Sequence, residues 1–305
     1  MAGFNSTQMA GAIAASGISQ FIVPTPSSSP IYPLLVKQFD CLNNKSATHD
    51  VPYWGARPAV ATLGEGVLGT TANYVLTGKT SIVAGMLDTT ADITDQVIQD
   101  SGLMQSDMVA EMFDNLYETI DKEVLELFNG ATNTSDHTGV NLTLALWFAD
   151  RALFRAQKPR GQMVYVGSGN QLRDIQLALV NSAGGQQING AGNPIFQSGV
   201  IDGFLGIYNG VAIIESGNVA EADASNDVGG FLGVLGSMSP AATPGEPDSA
   251  NVEFSGFGLG VWQPAQVEAD RVGRKHGYEA TVSARLGFKR IAEYMIRAVV
   301  SKKAA

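Results

Sequence analysis

The residues able to do chemistry are few and scattered. Cys41 is the one cysteine, and His49, His137 and His276 are the three histidines. A thiol acts as a nucleophile only beside a base, and zinc needs several thiolate or imidazole ligands at one point. Histidines so far apart match no zinc spacing, and Cys41 reads as a structural residue. Two acidic groups, Asp88/Asp92/Asp95 and Glu221/Asp223/Asp227, could attract a hard cation. Neither has the spacing of a calcium loop, so both read as solvated loops. Gly167-Ser168-Gly169 lacks the third glycine of a dinucleotide-binding loop and reads as a strand-to-helix turn. The chain carries no G-x-S-x-G elbow, phosphate-binding G-x-x-x-x-G-K-[ST] loop or H-E-x-x-H pair. The expectation is a protein without catalytic residues, metal or cofactor.

Composition turns attention from chemistry to contacts. Of 305 residues, 45% are hydrophobic, 16% are charged and 35 are glycine. A weakly charged, apolar, glycine-rich chain is suited to burying surface on partners. The net charge is −10, which argues against nonspecific nucleic-acid binding by the chain as a whole. The charge is uneven. From Arg271 onward there are nine Lys/Arg and two Glu, a local +7, so residues 1–270 carry −17. That basic block is expected to face acidic protein surface. One cysteine excludes an internal disulfide framework and fits a reducing compartment. No basic residue precedes Lys37 and no apolar run reaches the length of a membrane span, so neither secretion nor a membrane is expected. The N-x-S/T sequons at Asn5, Asn44, Asn133 and Asn141 then read as chance matches.

The element that must position everything else is the stretch Leu103–Asn129. Met104, Met108, Met112, Leu116, Ile120, Val124 and Phe128 recur every four residues, and Val109, Phe113 and Leu127 widen the stripe. This spacing predicts a long amphipathic helix. Its opposite face carries Asp107, Glu111, Asp114, Glu118, Asp121, Glu123 and Glu126 against Lys122 alone. Ser106 is the expected cap and Gly130 the expected stop.

Around this helix, residues 1–50 are broken by Pro24, Pro26, Pro30 and Pro33 and read as an extended arm. Residues 51–80, rich in Gly, Thr and Ala, read as a long hairpin with strands at Val60–Leu63 and Tyr74–Leu76. Such a hairpin needs a surface to lie on. Residues 131–139 read as a polar loop. A second helix is expected over Leu142–Ala156 with Leu142, Leu146, Ala149 and Leu153 inward, then a strand at Met163–Val166 and a third helix capped at Ser168-Gly169-Asn170. Phe204–Tyr208 and Val211–Glu215 form a hairpin about Asn209-Gly210. Further strands are expected at Gly229–Leu235 and Glu253–Trp262, with a Pro/Gly-rich loop between them. Tyr278, Ala280, Val282, Ala284 and Leu286 alternate, Gly287 permits a turn, and Ile291–Val300 returns. No repeat of 20–50 residues is visible.

The order of these elements resembles the major capsid proteins of tailed bacteriophages, the shell-forming family with the HK97-type fold. Four stretches carry the resemblance. VATLGEGVLGTTANYVLTGKTSIVAGML resembles the family's extended loop, and ITDQVIQDSGLMQSDMVAEMFDNLYETIDKEVLELFNG its long helix and the junction before it. GVIDGFLGIYNGVAIIESG resembles the hairpin of the axial domain, and RKHGYEATVSARLGFKRIAEYMIRAVV the closing strands of the peripheral domain. The resemblance implies an α+β HK97-like capsid fold: an N-terminal arm (1–50), an extended β-hairpin loop (51–80), a peripheral domain with a long spine helix (81–140 and 271–305), and an α/β axial domain (141–270). It implies a major capsid protein, a homo-oligomer of hexamers and pentamers closing an icosahedral shell around double-stranded DNA without sequence-specific binding. Assembly is expected in the host cytoplasm, with portal and decoration proteins as further partners. About 50 residues precede the extended loop, too few for a fused scaffolding segment, so a separate scaffolding protein or none is expected. Expected subunit-contact residues are Trp54, Glu65, Tyr74 and Lys79 in the loop, Asp114 and Glu118 on the acidic helix face, and Arg285, Lys289, Arg290 and Arg297 in the basic block. An encapsulin-like compartment of the same fold and an unrecognised α/β enzyme remain as alternative readings.

Overall fold

The computed structural model describes residues 30–54, 76–95, 105–182, 204–219, 221–223, 225–236, 252–274 and 276–303. In chain order these form α1 (Tyr32–Leu35), β1 (Val36–Asp40), β2 (Thr48–Trp54), β3 (Leu76–Val83) and β4 (Gly85–Thr94). Then come α2 (Gln105–Glu126), β5 (Thr134–His137), α3 (Leu144–Ala156), β6 (Gln162–Gly167) and α4 (Gly169–Ser182). β7 (Phe204–Tyr208), β8 (Val211–Glu215), β9 (Glu221–Asp223), β10 (Asn226–Gly236), β11 (Val252–Ser255), β12 (Phe257–Val272), β13 (Gly277–Arg290) and β14 (Ile296–Lys302) complete the chain.

The long helix sits between two sheets. Met112, Leu116, Ile120, Val124 and Phe128, the expected stripe, are buried together with Leu125. On one side they meet the four-stranded sheet β1-β12-β13-β4, whose Ala280, Val282, Ala284 and Leu286 are buried against them. On the other they meet Val164, Val166, Ala212, Ile214, Leu232 and Ala298 of a larger sheet, ordered β5-β14-β10-β6-β8-β7. The far face of that sheet supplies Met163, Tyr165, Val211, Ile213, Phe231 and Val299 to a second core, covered by α3 and α4. Strands β6 and β8 are therefore buried on both faces, which is why they read as continuous apolar runs.

The structure differs from the sequence expectations in several places. Residues 31–40 are not a free arm. Ile31, Tyr32, Leu35 and Val36 are buried in the main core, and β1 pairs in parallel with Phe257–Val261 of β12. Ser106 lies within α2 and is not its cap, while Gly130 at φ +72° does end the helical segment. The polar stretch after Gly130 contributes β5, parallel to β14. In α3 the buried residues are Trp147, Asp150 and Phe154, and Leu153 is exposed. The larger aromatic rings win the inward positions by stacking with Tyr165 and Phe231.

Gly287 is no turn either: β13 runs through it to Arg290. A Cβ at Gly287 would lie 2.3 Å from the Val83 carbonyl oxygen, so glycine here serves close backbone approach. The following strand, β14, does not return beside β13. It crosses to the larger sheet and pairs with β10, whereas β12 pairs with β13 over Phe257–Val272. The expected division at residue 270 is thus crossed in both directions by hydrogen-bonded strands.

Two expectations hold in detail. Asn209 and Gly210 turn between β7 and β8 at φ +51° and +78°, as a type I′ hairpin requires. Ser168 Oγ accepts from the Gln171 amide at the start of α4, the N-cap that the strand-turn-helix reading asks for. The strand expected at Val60–Leu63 and the 239–251 loop lie outside the described residues.

Candidate assembly surface

The groups singled out for chemistry are dispersed. Cys41 is buried with Ile82 and Trp262, and burial pushes its thiol above the usual range. The His49 ring packs at a tilt against Phe39, with centroids 5.1 Å apart. His137 is hydrogen-bonded through Nε2 to Asp150 Oδ2 at 2.8 Å, and His276 occupies a left-handed turn position at φ +45°. Asp95 pairs with Arg271 at 2.8 Å, and Asp88 lies exposed on β4. Asp227 accepts from Ser168 Oγ at the mouth of α4. Among the described residues no three His, Cys, Asp or Glu converge as metal ligands.

What the chain does present is a two-stranded ribbon without a core of its own. β2 and β3 pair from Thr48↔Val83 to Trp54↔Leu76 in a sheet that no third strand joins among the described residues. Its base is fixed by the small Cys41, Ile82, Trp262 cluster and by the Trp262 indole N–H, which donates to the Ser46 carbonyl at 2.8 Å. Beyond that base Asp50, Pro52, Tyr53 and Lys79 are exposed. Tyr53 lies across Gly78, where an added Cβ would meet its phenolic oxygen at 2.4 Å. Lys79 and Ser81 both bond to Asp50, which those hydrogen bonds hold below the usual carboxylate range. Trp54 ends β2, and Glu65 and Tyr74 lie outside the described residues.

Among the described residues, Asp114 and Glu118 do not pair with Arg285, Lys289, Arg290 or Arg297. Asp114 is exposed, and Glu118 pairs with Lys122 one turn on, at 2.6 Å. Arg290 instead caps the end of the helical segment: its Nη1 donates to the carbonyls of Leu127 and Asn129 at 3.2 and 2.8 Å, and its Nε pairs with Glu293. Unsatisfied C-terminal carbonyls carry partial negative charge and attract a guanidinium. Arg297 Nε donates to Ser135 Oγ at 2.8 Å. Arg285 and Lys289 remain exposed on β13, on the face of the four-stranded sheet turned away from α2.

One member of the acidic face has a different role that the sequence pattern missed. Asp121 is fully buried, although it falls among the solvated acids of the helical wheel. Its Oδ1 accepts from the amides of Ile31 and Tyr32, both at 2.8 Å, and its Oδ2 accepts from Asn218 Nδ2 at 3.0 Å. Burial holds its carboxyl above the ordinary range in spite of these bonds. One carboxylate thus ties the Ile31-Tyr32 segment, the long helix and the loop after β8 together. A single acid at a helical position adjoining the apolar stripe was the available signal.

This fold, a helix between two sheets with a two-stranded ribbon beside them, is similar to solved phage capsid structures. Over 93% of this chain and 96% of the other, it is similar to a structure from Mycobacterium phage Che8, with a TM-score of 0.64 at 13% identity. The head structure of Helicobacter pylori bacteriophage KHP40 is similar over 94% of this chain and 96% of that one, at a TM-score of 0.65 and 11% identity. The capsid of bacteriophage KHP30 is similar over 99% of both chains, with a TM-score of 0.63 and 10% identity. These are HK97-type capsid folds, and the present chain shares that fold. No curated protein sequence matches it. The phage capsid protein family matches residues 89–296, and the chain belongs to it: it is a tailed-phage major capsid protein, a structural protein of the icosahedral capsid.

Proposed function

We propose that this protein assembles through hexamers and pentamers into a closed shell around double-stranded DNA. The observation that carries the reading is the β2–β3 ribbon, which stands on the body without a core beneath its outer part. A two-stranded ribbon is marginal by itself and becomes stable when a neighbouring copy covers it. Repeated in one direction, such a contact joins different surfaces of successive copies and closes into rings. Trp54, Glu65, Tyr74 and Lys79 belong to this ribbon and its continuation, and the exposed Asp114, Arg285 and Lys289 are the charged groups free to meet a neighbour. Glu118 joins them through its partly exposed pair with Lys122. Arg290 and Arg297 act chiefly inside the subunit. Assembly takes place in the host cytoplasm, with a portal and decoration proteins as further components and with a separate scaffolding protein or none. The family match favours this reading over an encapsulin-like compartment.

Electron microscopy of the purified full-length protein tests it. Closed particles of uniform diameter with five-fold vertices are the expected result. Protein that stays monomeric at high concentration, with and without co-expressed phage head proteins, overturns it.

A further inference from the structure

A second group of cations lies outside the basic C-terminal stretch of the sequence. Residues 151–160 contain Arg151, Arg155, Lys158 and Arg160 and no acid, whereas Arg173 further on is paired with Asp174. Asp150, immediately before, is buried and taken up by His137. Arg151 and Arg155 are one helical turn apart on α3, about 6 Å. Lys158 and Arg160 follow in the loop to β6. Arg155, Lys158 and Arg160 are exposed, and among the described residues none of them is in an ion pair. Attraction to the helix C-terminus accounts for Arg155. It does not account for Lys158 and Arg160, which lie beyond the helix.

The loop that carries these cations is a fixed platform. Lys158 holds a left-handed backbone at φ +57° and Gly161 one at φ +79°. A Cβ on Gly161 would lie 2.1 Å from the Val234 carbonyl oxygen, and one on Gly233 would lie 3.0 Å from that of Arg160. The loop backbone is therefore pressed onto β10. Arg151 joins the same end of the sheet by donating from Nη2 to the Asn209 carbonyl at 2.6 Å.

We propose that Arg151, Arg155, Lys158 and Arg160 form a contact site for the phosphate backbone of double-stranded nucleic acid. The cores of protein–protein contacts favour Arg but are depleted in Lys and in charge overall, whereas phosphate-binding surfaces concentrate Lys and Arg together. A run of cations without carboxylates fits the second pattern. Four cations per copy, on a chain of net charge −10, give a weak contact that positions DNA without immobilising it. The proposal rests on the reading that the shell encloses DNA, and it names the surface that would face that DNA.

The test uses the full-length soluble subunit and a short DNA duplex, with an RNA duplex as a second probe, in titrations at several salt concentrations. Variant one is Arg155→Gln/Lys158→Gln/Arg160→Gln. Variant two, Arg285→Gln/Lys289→Gln, removes exposed charge elsewhere. Variant one is expected to bind DNA at least tenfold more weakly at low salt. Its plot of log affinity against log salt is expected to be shallower by about 0.9 for every phosphate it no longer neutralises. Variant two is expected to bind as wild type. Equal weakening in both variants would mean that overall charge governs binding, and the site would fall. Unchanged DNA binding in variant one also overturns it, and if shells then fail to form, the patch joins subunits instead. RNA bound tenfold more tightly than DNA would reassign the ligand. Particle formation is scored separately by microscopy, so failure of the DNA site and failure of the shell reading stay distinguishable.

Discussion

Asp121 and Arg290 show how single side chains hold the subunit in register. Asp121→Ala would leave the Ile31 and Tyr32 amides and the Asn218 amide without their acceptor. Each buried donor so orphaned costs about 1–3 kcal/mol, so a loss of several kcal/mol is expected in urea unfolding. Asp121→Asn tests the protonation. Because burial raises this carboxyl, the folded protein holds its proton more tightly than the unfolded chain does. The associated stability is full below the unfolded value and is lost as pH rises through the folded one. Wild type minus Asp121→Asn stability is therefore expected to decline from acid toward neutral pH. A difference that rises with pH would contradict the assignment. Arg290→Glu is expected to destabilise the isolated subunit by about 1.5–3 kcal/mol, the range for hydrogen bonds to a charged group. A second reversal at Asp114 or Glu118 is not expected to restore it, because neither acid faces Arg290.

At the scale of elements, what was legible in the sequence depended on how each element is buried. Tyr278–Leu286 alternates because one face of β13 packs on α2 while the other meets solvent. Asn209-Gly210 announced its turn because few residue pairs tolerate two positive φ values. By contrast, Gln263–Val272 of β12 carries no strand signal: β1 pairs only with Phe257–Val261, and the run from Gln266 to Arg271 is exposed. Pro264, Glu268 and Asp270 suit an open edge and hide the pattern. The inward face of α3 departs from its leucine spacing because ring packing around Trp147, and not the apolar character of Leu146 and Leu153, decides the outcome. The site was less legible than the fold. A ribbon in this part of the chain could be inferred from its lack of a core, although its paired strands are Thr48–Trp54 and Leu76–Val83 and start within the residues read as the arm. The Arg290 cap and the Asp121 clasp join residues more than 80 positions apart, and no local pattern records them. Close approach gives an element-scale prediction. A Cβ at Gly230 would fall 2.5 Å from both the Phe128 ring and the Arg297 carbonyl oxygen. Gly230→Ala forces β10 away from α2 and β14, and overpacking of this kind costs about 1–3 kcal/mol. A lowered melting temperature is expected, whereas Gly139→Ala, with open space around it, is expected to lose less and only through its left-handed backbone.

For the whole molecule, the division of labour between folding and assembly is expected to fall near residue 30. Ile31, Tyr32, Leu35 and Val36 are core residues, and β1 completes one edge of the four-stranded sheet. The residues before them carry Pro24, Pro26 and Pro30 and no charged side chain. That uncharged stretch includes Phe21, Ile22 and Val23, apolar residue types suited to a neighbouring copy. Two deletions separate the functions. Removing residues 2–29 is expected to leave a soluble subunit with wild-type unfolding cooperativity and a sharply reduced yield of shells. Removing residues 2–40 takes away four buried side chains, each worth about 1.5–3 kcal/mol when fully buried, together with the partners of Asp121. That is comparable to the whole net stability of a domain, so the longer deletion is expected to be insoluble or unfolded. The readouts are circular dichroism, urea unfolding and particle counts by electron microscopy. Normal shell yield from the shorter deletion would show that the arm is dispensable. A folded product from the longer one would contradict the placement of Ile31–Val36 in the core.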